Sequence, residues 1–70
     1  MSNDLERQPV LQDFFDNGFE NKFGALYKEG FDGCIQFWDG RFFHSNEISF
    51  LAEIKTIDIL NNILIENTIS

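Results

Sequence analysis

The sequence predicts an α+β fold, with one or two short N-terminal helices packed on an antiparallel β-sheet. Three observations predict it. Residues 9–17 place apolar side chains at helical spacing between a Pro and a Gly. Residues 34–45 read as two apolar strands around Asp39-Gly40. The chain is 43% hydrophobic with nine Phe, which excludes a disordered acidic segment despite its net charge of −7. Disorder needs low hydrophobicity together with high charge.

Seventy residues suit one domain, and residues 1–70 are read as a single compact unit. A domain this small buries only about 60% of its unfolded surface. Cys34 is the only cysteine, so no disulfide can staple the chain. Stability must come from a dense aromatic core, from a second copy, or from a partner.

The first element is a helix over residues 9–17. Pro9 suits the first helical position, where its missing N–H costs nothing. Val10, Leu11, Phe14 and Phe15 then share one face, and Gly18 supplies a left-handed cap. Residues 19–29 read as a second helix, with Phe19, Phe23, Leu26 and Tyr27 at helical spacing and Gly30 as its end. Gly24 inside it costs about 1 kcal/mol relative to Ala, and a strand over residues 22–28 is the competing reading.

The clearest element is a β-hairpin formed by residues 34–38 and 41–45. Asp-Gly between apolar runs favours a type I′ turn, which needs positive φ at both central residues. A two-residue loop pairs Trp38 with Arg41 and Phe37 with Phe42. Ile35, Phe37, Phe42 and His44 then share one face, and Cys34, Gln36, Trp38, Arg41 and Phe43 take the other. Both faces are apolar enough that one should pack on the core and the other against a partner or a second copy.

The Ile-rich end supports two readings. In the favoured one, Ser45 or Asn46 caps a short helix over about residues 47–54, with Phe50, Leu51, Ile54 and Ile57 inward. A second hairpin follows, with Ile57, Ile59, Ile63 and Ile65 alternating around Asn61-Asn62. The alternative is one long helix.

No residue set carries a recognisable chemistry. His44 is the only histidine and lies on a strand, so it reads as a half-buried structural residue with one satisfied nitrogen. Cys34 follows Asp32-Gly33, which offers no cation to activate a thiol, and reads as a small buried hydrophobe. One His and one Cys are too few soft ligands for a metal. Alignment of Gly18 with the central glycine of a calcium loop puts Phe15 at a ligand position and Gly24 where the closing Glu belongs. Neither glycine pattern that cradles phosphate is present. The chain is therefore expected to be no enzyme, with no cofactor and no metal.

Twelve acids against five bases also argue against direct nucleic-acid binding, because phosphate affinity comes from Lys and Arg. No apolar run approaches the roughly 20 residues a membrane span needs, and the N-terminus has no secretory pattern. A lone cysteine fits a reducing compartment, so a cytoplasmic location is expected.

Eight of the twelve acids fall in the first 40 residues, against three bases, which directs attention to that half. The expected function is a small binding protein that inhibits or regulates a larger protein by occupying its basic surface. Asp13, Asp16, Glu20, Glu29, Asp32 and Asp39 are the candidate acidic contacts, with Trp38 and Arg41 as anchors. The partner would be a nucleic-acid-handling or defence complex. A net charge of magnitude 2–8 is also ordinary for a soluble domain. The alternative is thus an obligate homo-oligomer, a homodimer for example, whose acidity serves only solubility. In profile, the chain is similar to small phage or mobile-element inhibitors, anti-CRISPR-like and DNA-mimic proteins among them. That likeness is one of composition and carries no motif.

Overall fold

A computed structural model describes residues 4–48 and 51–69. A short 3-10 turn, Asp4–Glu6, leads into helix α1, Leu11–Asp16. Five strands follow: β1 Glu20–Lys22, β2 Ala25–Tyr27, β3 Cys34–Trp38, β4 Arg41–Ser45 and β5 Ala52–Glu53. Helix α2, Ile57–Asn67, closes the fold. The strands form an antiparallel meander in the order β1-β2-β3-β4-β5. The α+β expectation therefore holds.

Helix α1 starts two residues later than expected: Val10 is its N-cap, so Pro9 precedes the helix. Val10 has no side-chain acceptor, and the cap is instead made by Asp13. The Val10 N–H donates to Asp13 Oδ2 at 2.7 Å. Gly18 caps the other end as expected. Its N–H donates to the Phe15 carbonyl, and the Phe19 N–H donates to the Phe14 carbonyl, each at 3.0 Å. This paired pattern is a Schellman motif. Of the four residues expected to face inward, Phe14 is fully buried and Leu11 is half-buried, whereas Val10 and Phe15 are exposed. Six helical residues give a stripe too narrow for four apolar positions.

The helix expected over residues 19–29 is replaced by the β1–β2 hairpin. Phe23 and Gly24 form its turn, with φ of 55° and 81°. Gly24, unfavourable inside a helix, is favourable at the second position of a type I′ turn. The 34–38/41–45 hairpin forms with the expected register, Trp38 opposite Arg41 and Phe37 opposite Phe42. Asp39 and Gly40 both have positive φ.

The favoured reading of the C-terminal part is corrected. Residues 52–53 are a strand paired to β4, and the segment read as a second hairpin is helix α2. Phe50 lies outside the described residues, and Leu51 is exposed rather than inward. Neither Ser45 nor Asn46 caps a helix: Ser45 ends β4, and Asn46 Oδ1 accepts from the Ile48 N–H at 2.9 Å in a local turn. The helix start lies at Thr56, whose hydroxyl accepts from the Ile59 N–H at 3.2 Å. Asn61 and Asn62, read as a turn, sit on the exposed side of α2. Leu60 is buried, with Ile57, Ile59, Ile63 and Leu64 packed on the core, so the helical period accounts for the isoleucines better than alternation does.

The core lies on one face of the sheet. Phe14, Phe19, Leu26, Phe31, Ile35, Phe42, Ile54 and Leu60 are its buried members. Aromatic rings run through it, Phe14 on Phe42 at 4.6 Å and Phe19 edge-on to Phe31 at 5.1 Å between centroids. Both helices pack on this face, and the turn at residues 4–6 joins α2 through the Ile57 N–H, which donates to the Arg7 carbonyl at 3.0 Å. The end of α2 is tied to the β2–β3 loop. Asp32 N–H donates to the Asn67 carbonyl at 2.8 Å, and Phe31 bridges to Thr68.

Candidate functional surfaces

The eight residues singled out as partner contacts lie in several separate places. Asp13 and Asp16 are on α1. Glu20, Trp38 and Arg41 face outward from the uncovered side of the sheet. Glu29 and Asp32 are in the β2–β3 loop, at the opposite end of β3 from Asp39. A five-residue strand spans about 17 Å, so these acids do not converge on one patch.

Asp13 is occupied within the fold. Arg7 Nη2 donates to its Oδ1 at 2.6 Å and Arg7 Nη1 to its Oδ2 at 2.9 Å, a two-pronged pairing. The Arg7 hydrogen bonds hold the Asp13 carboxyl below its usual range, against the opposing effect of burial and with help from the Val10 N–H. Its stabilisation is therefore complete above the unfolded carboxyl pKa of about 3.9 and is lost as pH falls through the depressed folded value. Asp13→Asn is expected to cost up to about 1 kcal/mol at pH 7, chiefly through the lost two-pronged ion pair with Arg7. Urea melts should show that difference shrinking toward zero at about pH 2.

His44 is more buried than the half-buried strand position expected for it, at 3% exposure. Its Nε2 lies 2.9 Å from the Asp32 carbonyl oxygen. A carbonyl only accepts, so Nε2 carries the proton in this contact. Phe31 stands edge-on to the ring at 5.2 Å. The arrangement anchors the loop before β3 to the sheet. Cys34 is half-buried and free. Among the described residues, no group of three or more His, Cys, Asp and Glu side chains is placed to hold a metal ion. No helix among them is long and apolar enough to cross a membrane.

Two surface features emerge instead. The first is the helical side. Residues 4–16 and 57–67 hold six acids and one base, a net −5 of the chain's −7, and that base is Arg7, already paired with Asp13. Asp16, Asp58 and Glu66 are all exposed. Asp58 and Glu66 were missed because residues 57–65 read as a hairpin. The Thr-x-Asp opening at Thr56 was the available helix signal.

The second is the open side of the sheet. Its strand residues include two acids, Glu20 and Glu53, and two bases, Lys22 and Arg41, so it is locally neutral. Trp38 is 48% exposed and stacks on Phe43, with ring centroids 4.1 Å apart. Phe23 at the β1–β2 turn is 100% exposed with positive φ, and it lines a shallow depression with Lys22 and Tyr27. Its place at the turn was obscured by the helical spacing from Phe19 to Tyr27, and Gly24 alone carries a turn preference there. No family model, curated protein or solved structure matches the chain.

Proposed function

We propose that the chain is a small non-enzymatic binding protein that inhibits or regulates a larger protein by laying its acidic helical side on a basic surface. The charge partition supports this reading most directly: net −5 on the helical segments against a neutral open sheet face. Such a surface steers encounter with a basic partner and disfavours anionic ones. A groove that normally binds nucleic-acid phosphates has the complementary charge, so a nucleic-acid-handling or defence complex is the partner class. The free thiol of Cys34 suits a reducing, cytoplasmic setting.

The reading is tested by charge reversal. A triple variant, Asp16→Lys, Asp58→Lys and Glu66→Lys, should lose basic partners captured from a host lysate by the tagged wild-type chain, with affinity falling roughly tenfold or more. Glu20→Lys on the open sheet face should leave capture nearly unchanged. If the triple variant captured the same proteins as well as the wild type does, acidic docking through the helical side would be wrong.

A further inference from the structure

We propose that the open sheet face is a self-association surface, on which two copies of the chain pack face to face about a two-fold axis along β3. The strand register supports this. One row of directly paired residues crosses the whole sheet: Lys22, Ala25, Gln36, Phe43 and Glu53. All five side chains lie on the open side, because directly paired residues share a face; Ala25 is buried at 8% exposure and Gln36, Phe43 and Glu53 are half-buried.

A rotation about the central strand exchanges β1 with β5 and β2 with β4. It lays Lys22 over Glu53 of the other copy and Phe43 over Ala25 of the other copy. Gln36 meets its own counterpart. The row thus matches cation to anion, large to small, and amide to amide. Such self-complementarity is what an isologous two-fold interface requires. Trp38, at the turn end of the axial strand and stacked on Phe43, supplies an aromatic anchor at the edge of the face.

The charge distribution permits this packing although each chain carries −7. The facing surfaces are neutral, and the acidic helical sides point away from each other. Helix, sheet, sheet and helix layers at about 10 Å spacing separate those sides by about 30 Å. That exceeds the Debye length of about 8 Å at physiological salt.

The area sets the strength. The strands are two to five residues long, so at about 3.3 Å per residue and about 4.8 Å spacing they present on the order of 300 Å² per copy. That is well below the roughly 800 Å² per partner of a standard interface, so only weak, reversible pairing is expected. The core is closed within one chain, with Phe14, Leu26 and Ile35 at 0% exposure, so the monomer remains folded.

The test is sedimentation of the full chain from about 10 μM to 1 mM in about 0.15 M salt. A monomer–dimer equilibrium is expected. Lys22→Glu or Glu53→Lys alone should each weaken it about tenfold, and the two together should restore it to near the wild-type value. Circular dichroism at low concentration checks that each variant is folded. Trp38→Glu should abolish the dimer without unfolding the monomer.

Opposed sheets lie about 10 Å apart, too far for a direct Cys34 disulfide. A bis-maleimide of about that span should join the two Cys34 thiols. A chain that stays monomeric throughout would overturn the proposal. So would a dimer in which the combined reversal fails to rescue the single ones, or one in which Cys34 is not joined.

Discussion

Phe14→Ala is expected to remove most of the stability of the fold. Phe14 is fully buried, and its ring meets Phe19 edge-on at 5.8 Å and Phe42 at 4.6 Å. It is the one buried residue of α1, so it links the helix to the sheet. Truncating a buried Phe costs about 3–5 kcal/mol, through lost transfer energy and the cavity left behind. A chain of this size has roughly 4–10 kcal/mol in total. The melting temperature should fall by about 15 °C or more. Phe15→Ala is the matched control: Phe15 is 38% exposed, and its loss should cost under about 1 kcal/mol. Equal effects from the two would mean that the register of α1 is wrong.

Gly33→Ala is the second large effect. Gly33 has φ of +91°, and a Cβ there would overlap the Ser45 carbonyl oxygen and lie 2.8 Å from Asn46 Cβ. The obstacle is largely main chain and cannot swing aside. Strain in left-handed backbone costs about 1–2 kcal/mol, and overpacking about 1–3 kcal/mol more. The neighbouring Asp32 carbonyl accepts from His44, so a shift of this loop would also disturb the buried imidazole. Gly24→Ala separates the two contributions. Gly24 has φ of +81°, but a Cβ there would meet nothing within 4 Å, so only backbone strain of about 1–2 kcal/mol is expected. Denaturant melts of both variants should therefore differ by about 1–3 kcal/mol, with Gly33→Ala the less stable.

The legible parts of the fold were those fixed by local chemistry. Asp39-Gly40 sets a two-residue turn, and the turn sets the register of every pair from Trp38–Arg41 to Cys34–Ser45. The Gly18 cap was legible for the same reason. Segments whose apolar spacing fits two periods were not. Phe19, Phe23, Leu26 and Tyr27 fit a helix, yet three-residue strands need too few positions to show alternation, and only the positive φ at Phe23 and Gly24 decides between them. Ile57, Ile59, Ile63 and Ile65 alternate by position, but the Thr56 cap and the packing of Leu60 on the core select the helix.

The surface was less legible than the core. Charge was visible as a total, and its early position in the chain directed attention to residues 13–39. Folding pairs Asp13 with Arg7 and sends Asp32 and Asp39 to opposite ends of β3. It joins residues 4–7 to the start of α2, which is distant in sequence, and packs α1 and α2 on the same face of the sheet. That juxtaposition depends on tertiary contacts. The two hairpin faces, by contrast, were readable directly from the register.

Capture of host proteins by the tagged chain across a salt series tests the central claim most directly. The account predicts that a basic, nucleic-acid-handling protein is retained at low salt and released as screening shortens the reach of the acidic side. Recovery of only its own copies, or of a partner whose retention is indifferent to salt, would contradict docking on a basic surface.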